Sequence, residues 1–451
     1  MVEDDAVGPS LTISGGGGAD VPLYLISFDK HGDCMAPRTR AALLAEAASG
    51  RYTDLHIYSH GWNNVFDEAV RHYAEFFTEY CGLRQGNGLA GDSYRPLLVG
   101  LIWPSTALLA PGEEPPRLAR LDDVAPAIGA VEPESAPLAA EMAPDDARQL
   151  AVLTSKGPLD GPDALALAQL LAPLLERHAN GDGESAMPAP GAAALLRDWN
   201  SAALAATVTA TATTDAVTDA ATPADLTLSG PFSFLNPREL LRKVTVFTMK
   251  DRAGVVGSTG VAELVRDAVE SSKIRVHLAG HSYGAKVVLA ALARLPAPLQ
   301  VTSVLLLQPA VSARCFAERI PERGGAPGAY RQVLGKTVLP LFTTFSEHDS
   351  ALNTFYPLAL RRGRDLGEIR QVSPFAALGA VGPQEVAQGE LEVLPLLDAP
   401  GAYAAPAPGI RLRALDGASG ISGHGDVRNR YTEWAMASLV LHGAAASAAA
   451  A

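Results

Sequence analysis

The stretch that decides the fold is IRVHLAGHSYGAKVVLAALARL, residues 274–295. Residues 274–279 form an apolar run that predicts a short buried strand, and residues 285–295 predict a helix. Between them lies the pentapeptide GHSYG, 280–284, which fits the pattern GxSxG. In that pattern a tight turn holds the serine in a strained conformation of positive φ and projects its hydroxyl out of the backbone. The order of strand, turn and helix therefore makes Ser282 a candidate nucleophile.

Two glycines frame this turn. Gly280 and Gly284 lack side chains that would collide where the strand and the helix converge. Five residues match such a pattern by chance in many chains, so the assignment of Ser282 depends on partners elsewhere. A nucleophilic serine needs a base that takes its proton and an acid that orients the base.

The chain downstream of the pentapeptide supplies an acid and a base in the order Ser, Asp, His. A buried strand predicted at 338–345 is followed directly by a loop that carries Asp349. A further strand, predicted at 410–415, is followed by a glycine-rich turn that carries His424. We therefore predict Ser282, Asp349 and His424 as nucleophile, orienting acid and general base.

The acid and the base each have an alternative. Glu347 stands two residues before Asp349 and could be the acid, although the shorter side chain farther into the loop fits the pattern better. His348 could be the base, but it would share a tight loop with its own acid, so a solvated loop histidine is favoured. Asp426 is predicted to be the N-cap of a closing helix that begins at residue 427.

The other histidines near these motifs favour structural roles. His277 lies inside the predicted strand and is expected to be a satisfied core histidine, and His281 is expected to pack beside the serine. His56 and His60 are four residues apart, but on a strand this spacing does not bring two imidazoles together as it would on a helix. A zinc site is therefore not predicted.

A second motif, HGWNN, follows a strand predicted at 55–59 and begins with His60 and Gly61. The negative oxygen of an acyl-transfer intermediate is stabilised by two N–H groups aimed at it. One donor is expected from the residue after the nucleophile, Tyr283, and the other from the loop after an upstream strand. The backbone amides of Trp62 and Tyr283 are therefore the predicted oxyanion donors.

The HGWNN loop, the strand end WPS at 103–105 and the GHSYG turn together resemble an α/β-hydrolase. They are most similar to a largely uncharacterised bacterial branch whose members carry an HG-aromatic-Asn loop and a WPS-like strand end. The resemblance covers residues 21–105 and 240–442, about two-thirds of the chain. It implies a Ser-Asp-His hydrolase of carboxylic esters or related acyl compounds, without a metal or organic cofactor. An acyltransferase or thioesterase with the same triad, and a hydrolase-fold binding protein without turnover, are the alternatives.

The predicted fold class is α/β, with a mostly parallel central sheet flanked by helices, as in the α/β-hydrolase fold. Further buried strands are predicted at 97–103 and 301–307. The predicted segments are an N-terminal tail at 1–20, a first core part at 21–105, an insertion at 106–239, a second core part at 240–443 and an Ala-rich tail at 444–451.

The insertion is rich in Ala and Pro and is expected to cap the active site. Residues 163–179 carry leucines at near-helical spacing and predict an amphipathic helix interrupted by Pro173. Residues 192–206 predict a second helix, 110–157 a mostly irregular segment with one short helix, and 207–227 a low-complexity linker. Because the leucines need an apolar surface to cover, a cap is favoured over an ornament on the side of the core, and the expected substrate is a small ester with an apolar acyl group.

Composition excludes some classes of partner. The 451 residues carry a net charge of −13, so a phosphate backbone would be repelled and nucleic-acid binding is not expected. The acidic N-terminus lacks the features of a secretory signal, and no apolar run approaches the length of a membrane span. Three separated cysteines, Cys34, Cys81 and Cys315, suit a reduced compartment. We therefore expect a cytoplasmic protein; the sequence does not indicate its oligomeric state.

Overall fold

The structure of the chain is a computed structural model that describes residues 8–14, 20–62, 64–84, 87–89, 93–105, 135–179, 191–197, 199, 237–355 and 376–450. These residues form two compact units. The first takes its residues from 1–105, 252–360 and 372–451, and the second takes them from 106–251.

The first unit is built on a nine-stranded sheet. Its strands are β1 (Leu11–Ile13), β2 (Val21–Ser27), β3 (Asp54–Ser59), β4 (Pro96–Ile102), β5 (Arg275–His281), β6 (Ser303–Leu307), β7 (Leu341–Phe345), β8 (Leu391–Pro395) and β9 (Leu412–Asp416). Their spatial order is β1-β2-β4-β3-β5-β6-β7-β9-β8, and each pair is parallel except β1 with β2. The prediction of an α/β protein with a mostly parallel sheet is confirmed.

Helices connect these strands and also build the second unit. They are α1 (Pro37–Ala48), α2 (Phe66–Leu83), α3 (Ala136–Ala139), α4 (Pro144–Ser155), α5 (Gly161–Ala179), α6 (Pro237–Val256), α7 (Ala262–Ser271), α8 (Tyr283–Arg294), α9 (Leu378–Val381) and α10 (Arg430–Ala450). None of the helices in the described ranges combines the length and the apolarity that a bilayer crossing requires.

Strands β3, β4 and β6 are buried along their whole length, as expected for parallel strands covered on both faces. Helix α2 contributes an aromatic stripe at helical spacing, formed by Tyr73, Phe76, Phe77 and Tyr80, each at most 1% exposed. This stripe belongs to the same core cluster as Trp434 of α10. Burial of these large side chains fixes both helices against the sheet.

The register of the central strands places their carboxyl ends at one edge of the sheet. Ser59 of β3 pairs with Gly280 of β5, and His281 of β5 pairs with Leu307 of β6. Residues that follow these ends are therefore neighbours in space although they are distant in sequence. This edge is where open parallel sheets bind their ligands.

Several boundaries differ from the sequence expectations. Strand β6 begins at Ser303 instead of 301, because Val301 forms an isolated bridge with Thr337. Strand β8 was not predicted; it is an edge strand with partly exposed residues and a proline at its end, and so lacks the buried apolar pattern of the inner strands. Helix α10 runs to Ala450, through residues 444–450 that the sequence analysis assigned to a tail.

In the second unit, the sequence predicts one short helix within residues 110–157, and the described part of that segment contains α3 and the longer helix α4. This helix begins with a proline and an acidic first turn and buries Ala147, Leu150 and Leu153 on one face. Its apolar residues are few and are separated by Asp, Arg and Gln, so their helical spacing is not evident from the sequence. Helix α5 passes through Pro173 without ending there.

The remaining expectations for the insertion are only partly covered by the structure. Residues 192–197 are helical, whereas 201–206 of the predicted second helix and the whole predicted linker at 207–227 lie outside the described residues. The role of the insertion as a cap stays a prediction.

A histidine between two carboxylates ties helices of the second unit together. His178 of α5 bonds through Nδ1 to Asp251 of α6 at 2.8 Å and through Nε2 to Glu141 at 2.7 Å. Burial lowers the pKa of His178, but its hydrogen bonds to the two carboxylates outweigh burial and raise that pKa to about 9. A charged imidazole therefore bridges α5 to α6 at neutral pH.

Candidate active site

Ser282 stands at the sharp turn between β5 and α8. Its φ of 55° and ψ of −122° lie in a region that non-glycine residues rarely adopt. A Cβ on Gly280 would lie 2.5 Å from the carbonyl oxygen of Gly284, and a Cβ on Gly284 would lie 2.1 Å from that of Ser59. Both glycines are therefore required by the close approach of β5, α8 and the end of β3.

Ser282, His424 and Asp349 form one hydrogen-bonded chain. Ser282 Oγ lies 2.8 Å from His424 Nε2, and His424 Nδ1 lies 2.8 Å from Asp349 Oδ2. A carboxylate accepts only, so Nδ1 carries the proton and Nε2 is left to accept the hydrogen bond of the serine hydroxyl. This is the tautomer in which an imidazole can take the proton of Ser282.

The loop after β7 separates the three acid and base candidates. Asp349 is fully buried, whereas Glu347 and His348 are exposed. Asp349 Oδ1 accepts the backbone N–H of Leu352 at 2.9 Å, so both carboxylate oxygens are held. Among the three, the structure therefore joins Asp349 to His424 and leaves Glu347 and His348 at the surface.

The loop that carries His424 is fixed by polar contacts on both sides. Ser346 Oγ donates to the carbonyl of Ile421 at 2.9 Å, and the carboxylate of Asp426 accepts the N–H and the hydroxyl of Ser422. Asp426 thus stabilises the loop by binding Ser422, and its prediction as a helix N-cap is wrong. The cap of α10 is Asn429, whose Oδ1 accepts the N–H groups of residues 431 and 432.

The HGWNN loop lies against the nucleophile turn. A Cβ on Gly61 would lie 2.8 Å from Ser282 Cβ and 3.0 Å from His281 Nδ1, so only glycine fits there. The rings of Trp62 and Tyr283 are neighbours, with centroids 6.2 Å apart. The two residues predicted as oxyanion donors therefore come from adjoining backbone segments, and Tyr283 opens α8, where the helix dipole favours negative charge.

The strand end WPS packs against the HGWNN loop and holds it by hydrogen bonds, a role that the sequence did not indicate. Trp103 stacks on the ring of His60, with centroids 5.5 Å apart and planes inclined by 5°, and its Nε1–H donates to the carbonyl of His60 at 3.2 Å. Ser105 Oγ accepts the N–H of Asn64 at 3.2 Å and donates to its carbonyl at 3.0 Å. The side-chain amide of Asn64 donates from Nδ2 to the carbonyls of Gly61 and Trp62.

Two buried imidazoles, those of His281 and His60, lie in the segments that form the nucleophile turn and the loop against it. His281 donates from Nε2 to the carbonyl of His424 at 2.9 Å, and burial, followed by the nearby His424, holds the pKa of His281 well below its usual value. Burial lowers the pKa of His60 to about 4, although its hydrogen bond to the carbonyl of Gly61 opposes this. Both rings therefore add hydrogen bonds to the site without adding charge at neutral pH.

One residue of the site was missed by sequence reasoning. Gln308 directly follows β6, is fully buried, and donates from Nε2 to Asp349 Oδ2 at 3.0 Å. The signal that could have found it is its place: a polar residue immediately after a buried strand, at the edge where Ser282 also lies.

Within the described ranges, no three His, Cys, Asp or Glu side chains converge in a way that could hold a metal ion. No protein-family model, curated protein or solved structure matches the chain.

Proposed function

We propose that this protein is a serine hydrolase of the α/β-hydrolase fold that cleaves carboxylic esters through an acyl-enzyme intermediate. The observation that carries the proposal is the chain of hydrogen bonds from Ser282 Oγ through His424 to the buried Asp349, with the serine in a strained turn after a central parallel strand. Such a turn, with Ser, Asp and His in this chain order, is characteristic of that fold.

In the proposed reaction His424 Nε2 takes the proton of Ser282 as Oγ attacks the ester carbonyl. Asp349 stabilises the imidazolium that forms, and the backbone amides of Trp62 and Tyr283 donate to the negative oxygen. The leaving alcohol then takes the proton from His424. Water, deprotonated by His424, attacks the acyl-enzyme, and collapse of the second intermediate returns the proton to Ser282.

Labelling with a fluorophosphonate probe tests the proposal. Wild-type protein should react covalently at Ser282 and hydrolyse nitrophenyl esters, whereas Ser282→Ala should do neither and should keep its melting temperature within a few degrees. Failure of the wild-type protein to react with either reagent would favour a binding protein of this fold. Release of ester product instead of acid in the presence of an added alcohol would favour acyl transfer.

A panel of nitrophenyl esters of increasing chain length tests the proposed substrate class. The leucines of the insertion support an apolar acyl group, and each buried methylene contributes about 0.8 kcal/mol. We expect medium-chain esters to exceed the acetate ester in kcat/KM. A panel in which acetate is hydrolysed best would contradict this expectation.

A further inference from the structure

The carboxylate of Asp349 is held by a neutral amide. Its Oδ2 accepts from His424 Nδ1 at 2.8 Å and from Gln308 Nε2 at 3.0 Å, and its Oδ1 accepts from a backbone N–H. In the part of the chain that the structure describes, Gln308 is the only side chain besides His424 that donates to the carboxylate of Asp349, and His424 is the only ion-pair partner of Asp349.

The amide of Gln308 has one permitted orientation. Thr344 Oγ1 accepts the backbone N–H of Gln308 at 2.9 Å and donates its own hydrogen to Gln308 Oε1 at 2.9 Å. Nε2 donates to Asp349 and to the carbonyl of Gly379, both at 3.0 Å. A flipped amide would turn Oε1 toward two acceptors, so the network itself places the donor against the carboxylate.

The backbone of Gln308 is also strained. Its φ of 42° lies in the left-handed region, which a non-glycine residue seldom adopts. A Cβ on Gly379 would lie 2.5 Å from the carbonyl carbon of Gln308, so the chain is packed tightly on that side as well. Strain of this kind persists where the surroundings over-determine a conformation, and it is concentrated at functional sites.

We propose that Gln308 is the positioning residue of the acid: it holds Asp349 Oδ2 on His424 Nδ1 through a hydrogen bond that adds no charge. This inference rests on the proposed function. A lysine or arginine in the same place would satisfy the same oxygen, but its charge would cancel the field that stabilises the imidazolium of His424. An amide supplies the hydrogen bond alone.

Two substitutions separate this role from a merely structural one. In Gln308→Met the donor is lost at similar volume, and loss of a hydrogen bond to a charged group should lower kcat by about 10- to 100-fold at every pH, with KM unchanged. In Gln308→Glu the new carboxyl group can donate to Asp349 only while it keeps a proton, because two adjacent carboxylates resist joint ionisation. Its activity relative to wild type should therefore fall as pH rises.

Gln384 provides the matched control. Its Nε2 donates to the backbone carbonyl of Val381 at 3.3 Å and not to a carboxylate, so Gln384→Met and Gln384→Glu should keep the wild-type kcat and pH profile. Thr344→Val removes the hydroxyl that orients the amide and should lower kcat in the same direction as Gln308→Met, which keeps the test valid if that variant fails to fold.

The measurements are kcat and KM on a nitrophenyl ester from pH 5 to 9, the rate of fluorophosphonate labelling, and the melting temperature. A folded Gln308→Met or Thr344→Val with kcat within about twofold of wild type would overturn the inference. So would a deficit of Gln308→Glu that is constant across pH. An unlabelled wild-type protein would instead overturn the proposed function, and the inference would fall with it.

Discussion

The sheet carries two Ser-His-Asp arrangements, one at the carboxyl ends of its strands and one at their amino ends. At the carboxyl ends of the strands, Ser282 meets His424; at the amino ends, Ser303 Oγ lies 2.7 Å from His277 Nδ1, and His277 Nε2 lies 2.9 Å from Asp54 Oδ1. The residue types and the distances are nearly the same. The second arrangement is a structural one, and it confirms His277 as a satisfied core histidine.

The differences between the two lie in backbone, exposure and charge. Ser282 has a φ of 55° at a turn, whereas Ser303 is the first residue of a regular strand. The side chain of His424 is 25% exposed and that of His277 only 4%, so solvent reaches the first far more than the second. The comparison shows that three residue types at hydrogen-bonding distance do not by themselves make a catalytic site.

The two aspartates differ most. Arg275 donates to both oxygens of Asp54, at 2.7 and 2.6 Å, where Asp349 has the neutral Gln308. Burial raises the pKa of Asp54, but the hydrogen bonds from His277 and Arg275 outweigh it and hold that pKa well below its ordinary value. Asp54 is therefore locked in an ion pair, whereas the charge of Asp349 remains available to His424.

The largest expected effect comes from exchanging the serines of the two arrangements for alanine. Ser282→Ala should lower kcat by about 10⁴- to 10⁶-fold, because it removes the nucleophile of the proposed reaction. Ser303→Ala should leave kcat within about twofold of wild type, because Ser303 touches no reacting group. Both variants are compared by ester hydrolysis after their folding is checked by circular dichroism. A severe activity loss in Ser303→Ala alone would mean that Ser303, and not Ser282, is the nucleophile.

Substitution of the aspartates should affect different properties. Asp349→Asn is expected to lower kcat by about 10⁴-fold, since His424 loses the acid that fixes its tautomer. Asp54→Asn should instead lower the free energy of unfolding by about 3 kcal/mol, because Arg275 loses its buried partner. Urea denaturation and ester kinetics on both variants measure the two effects, with Glu347→Gln as the exposed control. If Glu347→Gln lost activity and Asp349→Asn did not, the acid would have to be reassigned.

A third buried carboxyl group, unlike the two aspartates, makes the stability of the fold depend on pH. Glu433 of α10 is 2% exposed, and its Oε1 has no hydrogen-bond partner among the described residues. Burial, and then the nearby Glu79, raise the pKa of Glu433 from 4.5 to about 8. Between these two values the unfolded chain has lost this proton while the folded chain keeps it, so the contribution of Glu433 to stability falls as pH rises and levels off above pH 8.

Glu433→Gln should therefore stabilise the fold by an amount that grows from pH 5 to pH 8, reaching on the order of 2–4 kcal/mol. Urea denaturation of both proteins at several pH values measures the difference. Ester hydrolysis should be unchanged, since Glu433 takes no part in the proposed reaction. A stability difference that is the same at pH 5 and pH 8 would contradict this assignment.

The comparison also explains what the sequence could and could not predict. Ser282 could be predicted as a candidate because a turn of five residues is a local pattern, and Asp349 and His424 because they follow predicted strands. The arrangement of Ser303 and Asp54 on either side of His277 joins residues that are far apart in sequence, and only strand register brings them together.

Side chains whose role depends on tertiary contact were hidden for the same reason. In the sequence Gln308 is an ordinary polar residue after a strand. Its role depends on Thr344, which the adjacent strand β7 places beside it. Trp103 and Ser105 were recognised as part of a motif, but their contact with His60 and Asn64 requires β3 and β4 to be adjacent in the sheet. Local pattern thus indicates which residues could react, and packing determines how they are held.

The left-handed backbone at Ser282 has a consequence for how this protein can change. A conformation of that kind costs roughly 1–3 kcal/mol for any residue with a side chain and much less for glycine. Replacement of the nucleophile by glycine would therefore relax the turn while abolishing the proposed chemistry. At this position the proposed activity and thermodynamic stability pull in opposite directions, and a search for more heat-resistant variants that ignored activity would favour loss of the nucleophile.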